Sequence, residues 1–268
     1  MVTHKISTAV LLAAGTGSRL QPLTFDAPKC LTEVMGEPIL GRLVQHLRAQ
    51  GFRRMIVVLG HLGDHIKAFL QTHAADMQID YVVNPDYRTT NNIYSLWLAR
   101  QLISEPFMLI ESDLVFGEGM LDELLQSDSM AVSQMLPWMN GTTVEVGVNK
   151  SEMQVSAFRM GAGDSPSNVR QYKTVNIYSL SVESWFKVEA RLNRYISEER
   201  LGEYYESVFA ELVSEGSLCF DAVMFDSARW YEIDTLADLR AAEALFSSPQ
   251  PDIPANSVIS HNEVVSVA

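Results

Sequence analysis

The most constraining feature of this chain is an abrupt change of character at residues 10–19. An apolar run, Val10-Leu11-Leu12-Ala13-Ala14, breaks directly into Gly15-Thr16-Gly17-Ser18-Arg19. A run with no polar residue to face water reads as a strand buried on both sides, the kind found in parallel sheets covered by helices. The glycines that follow carry no Cβ, so backbone N–H groups can close on an anion. Arg19 and the later Pro28-Lys29 pair add fixed positive charge. Together these residues make a pocket for a polyphosphate, with Leu12, Ala13, Ala14, Gly15, Thr16, Gly17 and Ser18 as its candidate contacts. The loop is not a dinucleotide fingerprint, because position 20 is Leu where a third glycine is needed, and no G-K-[ST] follows to make it a Walker A loop. A plain strand-to-turn connection is the remaining alternative, and Lys29 weighs against it.

The rest of the first half alternates between strand and helix patterns. Ile39, Leu40, Leu43, Val44 and Leu47 carry helical spacing after Pro38. Apolar runs at 55–59, 79–83 and 107–110 read as strands, with helices predicted at about 64–72 and 92–102 between them. This βαβα order predicts an α/β fold: a Rossmann-like, mostly parallel central sheet with helices on both faces. Ligands then bind at the carboxyl ends of the strands. The second half changes character. Shorter strands are predicted at 130–134, 143–148, 153–159 and 175–180, helices at about 182–196 and 203–213, a strand near 218–224 and a helix from 236 to 246. The expected organisation is one domain over 1–246, with a smaller α/β subregion at about 130–225, and a tail or interdomain linker over 247–268.

Composition narrows the class further. Of 268 residues, 47% are apolar, enough for a sizeable core, yet there is no uninterrupted apolar stretch of roughly 18 residues to span a membrane. Two cysteines are too few for a disulfide framework or a zinc site. With a strand pattern starting almost at the first residue, no signal peptide is expected, and the reading is a cytoplasmic protein. A net charge of −13 argues against a nucleic-acid partner. An enzyme that grips phosphates through carboxylate-bound Mg²⁺ tolerates such an acidic surface.

Several side chains stand where chemistry is expected. Asp113, in Glu111-Ser112-Asp113, follows an apolar strand directly and suits a Mg²⁺ ligand, though alone it is equally a capping or loop carboxylate. Glu232 and Asp234 are two apart and share a face if extended, while Asp234 also suits a helix cap. Asn91-Asn92 opens a helix, where side-chain amides can read a base edge or simply cap. Asn84 stands just after a strand beside the same pocket. Lys173, entering a second-half strand, can steer an acceptor's phosphoryl oxygens or be an edge lysine. Trp138, Trp185, Trp230, Tyr231 and Tyr94 are candidates to hold a cationic head group, with Trp230 favoured for its place beside the acidic segment. Cys30 reads as packing.

The combination of a strand, G-x-G-[ST]-R-L and a Pro-Lys pair resembles the NTP-transferase family that makes activated sugars and alcohols. That resemblance implies transfer of a nucleoside monophosphate from an NTP to a phosphorylated acceptor, with pyrophosphate released. It implies that Arg19 holds the β- and γ-phosphates, that Lys29 neutralises the α-phosphate, and that Asp113 and Asp234 bind Mg²⁺. The segment Asn91-Asn92-Ile93-Tyr94-Ser95-Leu96 is similar to the branch using CTP on phosphocholine and small phosphonates, which implies a nucleotide role for Asn84, Asn91, Asn92 and Ser95. Lys173-Thr174-Val175-Asn176-Ile177-Tyr178 resembles the phosphonate-activating members, which implies acceptor contacts from Lys173, Trp230 and Glu232. The expected function is Mg²⁺-dependent transfer of CMP from CTP to 2-aminoethylphosphonate or 2-hydroxyethylphosphonate. The alternatives are a phosphocholine cytidylyltransferase, a sugar-1-phosphate nucleotidyltransferase and a non-catalytic nucleotide sensor. Fusion to, or association with, another biosynthetic domain is also expected.

Overall fold

The apolar run at the N-terminus forms β1 (Thr8–Ala13), and all six of its residues are buried. We describe a computed structural model that places residues 5–149, 152–161 and 171–247. After the glycine loop come a two-strand ribbon, β2 (Glu33–Val34) and β3 (Glu37–Pro38), and then α1 (Ile39–Ala49). The alternation continues with β4 (Arg54–Leu59), α2 (Gly63–His73), β5 (Gln78–Val83), α3 (Asn92–Ala99) and β6 (Phe107–Glu111). Arg100–Leu102, expected as the end of α3, tightens into a 3₁₀ turn. The second half holds β7 (Leu114–Phe116), β8 (Ser129–Gln134), β9 (Thr143–Asn149), β10 (Glu152–Arg159) and β11 (Gln171–Leu180). It ends with α4 (Val182–Ser197), α5 (Tyr205–Ser214), β12 (Asp221–Phe225), β13 (Trp230–Glu232) and α6 (Leu236–Ser247).

Nine strands form one sheet in the order β5-β4-β1-β6-β11-β8-β12-β10-β9. The first four are parallel, as the βαβα pattern predicts. Beyond β6 the pairing is mixed, with β12 parallel to β8 but the other pairings antiparallel. β11 runs antiparallel to both β6 and β8, and β10 runs antiparallel to β12 and β9. β9 and β10 are joined too closely for a crossover, so the chain doubles back between them. β11 also pairs with β9, so the second-half strands curl into a barrel-like unit.

The pleat of β1 splits the core. Ala9, Leu11 and Ala13 face α1 and α2 through Leu40, Leu43, Leu47, Ile66 and Leu70. Val10, Leu12 and Ala14 face the other way, into the layer of α3, α4 and α5 with Ile93, Leu96, Trp185 and Phe209. Both faces of β1 are therefore dry, which is what a strand without polar residues requires. Chain order reverses beside β1, with β4 and β5 on one side and β6 on the other, so a crevice opens at its carboxyl end. Among the described residues no helix is long and apolar enough to cross a membrane. Ser247, the first residue of the expected tail, closes α6, and 248–268 lie outside the described residues.

Candidate active site

A cleft of about 590 Å³ occupies that crevice. Its wall includes residues 12–19, Lys29, Asn84, Asn91, Asn92, Ser95, Asp113, Lys173, Glu232 and Asp234. The phosphate-loop, amide, acidic and lysine candidates singled out from the sequence all line this one cleft, and the aromatic candidates do not.

The glycine loop has its shape for two local reasons. Gly17 sits at φ +62°, and a Cβ there would stand 3.0 Å from both Lys29 Cβ and Thr24 Cγ2. Only glycine takes this conformation and this close approach without strain. Thr24 Oγ1 donates to the Gly17 carbonyl at 2.8 Å, and fully buried Leu20 pins the following 3₁₀ turn to the core. Leu20 thus serves as an anchor where a dinucleotide loop would have glycine. Cys30 lies behind the loop, where burial pushes its thiol up to about 12, so it is packing and not a nucleophile.

The acidic pair is assembled by a contact invisible in the sequence. β7 and β13 pair antiparallel, with Leu114 opposite Glu232. Asp113 precedes β7 and Asp234 follows β13, so the pairing sets them side by side, and Ile233 N–H donates to the Asp113 carbonyl at 2.9 Å. Lys29 Nζ donates to Asp113 Oδ2 and to Asp234 Oδ1, each at 2.7 Å. Arg19, with its side chain 67% exposed at the rim, reaches the same Asp234 oxygen at 2.7 Å. Burial alone lowers the pKa of the Lys29 ammonium, but the Asp113 and Asp234 carboxylates outweigh it and hold the pKa above the ordinary value. Lys29 therefore stays charged throughout the neutral range.

The same two carboxylates fit Mg²⁺. Among the described residues no group of three or more His, Cys, Asp or Glu side chains is arranged to hold a metal alone. Mg²⁺ does not need one, since it is commonly held by one or two carboxylates with substrate phosphates and water completing the shell. Asp113 Oδ1 is buried without a hydrogen-bond partner among the described residues, a position that a bound cation would satisfy.

The amide residues are already engaged with the protein. Asn84 donates to Thr90 Oγ1 and Ser95 Oγ, and its Oδ1 accepts from Asp86 N–H. Asn91 caps α3 by accepting from Asn92 N–H. Asn92 donates to Glu111 Oε1 at 3.1 Å and accepts from Tyr205 N–H at 3.0 Å, tying α3 to β6 and α5. The capping role that the residues alone equally allowed is present here.

At the other end, Lys173 is only 3% exposed, and its Nζ lies 3.3 Å from Glu232 Oε2 and donates to the Thr174 carbonyl at 2.7 Å. It is a cleft-wall lysine, not a solvated edge lysine. Asn176, in the left-handed region at φ +62°, donates to the other Glu232 oxygen at 3.2 Å. Trp230 corrects the sequence reading. It is 1% exposed in the core with Phe116 and takes no part in the cleft wall, because β13 turns its indole inward against β7. Of the other aromatic candidates, Trp138 stacks on Tyr231 at 4.6 Å, Tyr94 on Trp97 at 5.4 Å, and Trp185 is buried; none lines the cleft.

One carboxylate in the wall, Glu206, was not anticipated. It sits in the first turn of α5 and is 6% exposed. Burial pushes its carboxyl up to about 7, against the pull of Lys173. A signal existed: Phe209 and Val213, three and seven positions on, put Glu206 at the border of the apolar helix face. Glu111 is half-buried at the end of β6, and desolvation followed by the Asp113 and Glu206 charges raises its pKa.

Comparison with known proteins identifies the family. The family model for the MobA-like NTP transferase domain matches residues 9–145. A CMP-5'-(3-aminopropyl)phosphonate synthase from Streptomyces rubellomurinus is 32% identical over 90% of this chain and 39% of its own length. A choline-phosphate cytidylyltransferase from Streptococcus pneumoniae is 27% identical over 46% of this chain and 52% of its own length. The chain thus spans two fifths to about half of these curated relatives. The solved structure of the CTP:phosphocholine cytidylyltransferase from Streptococcus pneumoniae aligns with a TM-score of 0.72 at 20% identity, covering 91% of this chain and all of that one. At that identity the likeness speaks for the fold alone.

Proposed function

The chain belongs to the MobA-like NTP transferase family, and from that premise we propose that it moves CMP from CTP to a small phosphonate, releasing pyrophosphate. The observation that carries this reading is the Lys29 ammonium bridging Asp113 and Asp234 beside the glycine loop, at the carboxyl ends of parallel strands. It concentrates opposite charges where a triphosphate and its cation meet. The acceptor class is supported by Lys173 in the far wall of the same cleft and by the phosphonate named in the Streptomyces relative.

In this mechanism a phosphonate oxygen attacks the α-phosphorus in line. A new P–O bond forms as the bond from the α-phosphorus to the bridging oxygen breaks, and pyrophosphate leaves with that electron pair. No general base is required, because the attacking oxygen is already ionised. Lys29 neutralises charge on the phosphates as it builds, and it is positioned in advance by two carboxylates. Arg19 holds the β- and γ-phosphates at the rim. Asp113 and Asp234 would hold Mg²⁺, which would supply charge neutralisation to the phosphate oxygens. Lys173 and Asn176 orient the acceptor.

The test is pyrophosphate release with CTP and Mg²⁺ against phosphonates, phosphocholine and glucose 1-phosphate. Release with a phosphonate is expected. Release with glucose 1-phosphate alone, or with none of them, would overturn the reading. Lys29→Ala should lower kcat by about 100- to 1000-fold with little change in the KM for CTP. Equal losses in both would remove Lys29 from the reacting step.

A further inference from the structure

Three carboxylates line the acceptor end of the cleft, half-buried Glu111 and Glu232 and buried Glu206, and one of their oxygens is left without a partner among the described residues. Glu232 has Lys173 at 3.3 Å and Asn176 at 3.2 Å. Glu111 has the Asn92 amide at 3.1 Å. Glu206 feels the charge of Lys173 and the Asn92 amide, yet its Oε2 is buried without a hydrogen-bond partner among the described residues. The one lysine at this end is committed to Glu232 and to the Thr174 carbonyl. A buried, unpaired carboxylate oxygen is strongly unfavourable unless a ligand supplies the missing donor.

We infer that Glu206 receives a primary ammonium group of the acceptor, so that the enzyme selects aminoalkylphosphonates over hydroxyalkylphosphonates and over quaternary ammonium acceptors. This rests on the cytidylyl-transfer reading above and deepens it by fixing the chemistry of the acceptor's tail.

Two further observations favour a primary amine. A quaternary ammonium has no N–H, so it cannot complete the unpaired Oε2, and it is usually held instead by a cage of aromatic rings. Among the described residues the only rings lining the cleft are Tyr87 and Tyr204, and none of the tryptophans reaches it. A hydroxyl could donate one hydrogen bond to Oε2, but it brings no charge to offset the excess of carboxylates.

The test uses the full chain with CTP and Mg²⁺, measuring pyrophosphate release from 2-aminoethylphosphonate, 2-hydroxyethylphosphonate and phosphocholine. The wild-type kcat/KM should favour the amine over the alcohol by on the order of 100-fold, the scale of one charged hydrogen bond. Glu206→Gln should bring the amine-to-alcohol ratio down to within a few-fold of unity. Circular dichroism and thermal melting of the variant report whether it is folded, and the wild-type preference is read without any substitution. Equal use of amine and alcohol by the wild type, a preference for phosphocholine, or an unchanged ratio in Glu206→Gln would overturn the assignment while leaving cytidylyl transfer standing. Pyrophosphate from none of the acceptors would overturn both.

Discussion

Glu206 links the chemistry of the cleft to the stability of the fold. Its carboxyl is raised from 4.5 to about 7 on folding, so the folded state binds this proton more tightly than the unfolded one. Stability from this group is fully present below about pH 4.5 and is lost as the pH rises through 7. The charged groups that act on it are Lys173, Glu232 and Glu111, and Lys173 only partly offsets the burial. Replacing the carboxyl by the uncharged Gln removes this penalty. Glu206→Gln should therefore melt several degrees higher than wild type at pH 8, a gain of at most about 3 kcal/mol, and nearly the same at pH 5. Melting curves at the two pH values check this, and an equal shift at both would mean that the carboxylate is not the source. Lys29, with its carboxylate partners in place, shows the opposite balance at the other end of the same cleft.

Among the elements, the longer ones were legible and the shortest were not. The predicted strand at 107–110 and helix at 182–196 lie within one residue of β6 and α4, because each carries enough period to identify its buried face. β7 and β13, at three residues each, carry too few positions for alternation to show, yet their pairing sets Asp113 beside Asp234. The two ends of β1 and β4 are equally decisive. A Cβ on Gly60 would overlap the Ala14 carbonyl and stand 2.9 Å from Ala14 Cα, where β1 enters the glycine loop. His61 N–H donates to that same carbonyl at 3.1 Å. Gly60→Ala should push the loop away from its place, costing about 1–3 kcal/mol of stability and raising the KM for CTP more than it lowers kcat. Denaturant melts and steady-state kinetics check both, and a wild-type KM in a destabilised variant would separate the loop from this contact.

At the scale of the whole molecule, the parallel half and the barrel-like half share one sheet through four β6–β11 pairs, from Leu180 opposite Phe107 to Ile177 opposite Ile110. The cleft takes one wall from each half, so neither half alone makes the site. Native-state hydrogen exchange should therefore show β6 and β11 amides opening in the same global event. Earlier exchange of β11, with β1 and β6 still protected, would make the second half a separate cooperative unit. By itself, the amino-acid sequence determined the α/β class, the order of the long elements, the phosphate loop and the identity of the charged residues, because these depend on local period, glycine and charge over a few positions. Tertiary structure decided which of those residues meet. It brought Asp113 to Asp234, turned Trp230 into the core, engaged Asn92 with Glu111, and left Glu206 Oε2 without a partner among the described residues. Pairings over tens to hundreds of residues, and the burial that follows from them, are properties of the closed sheet, which no local stretch of sequence encodes.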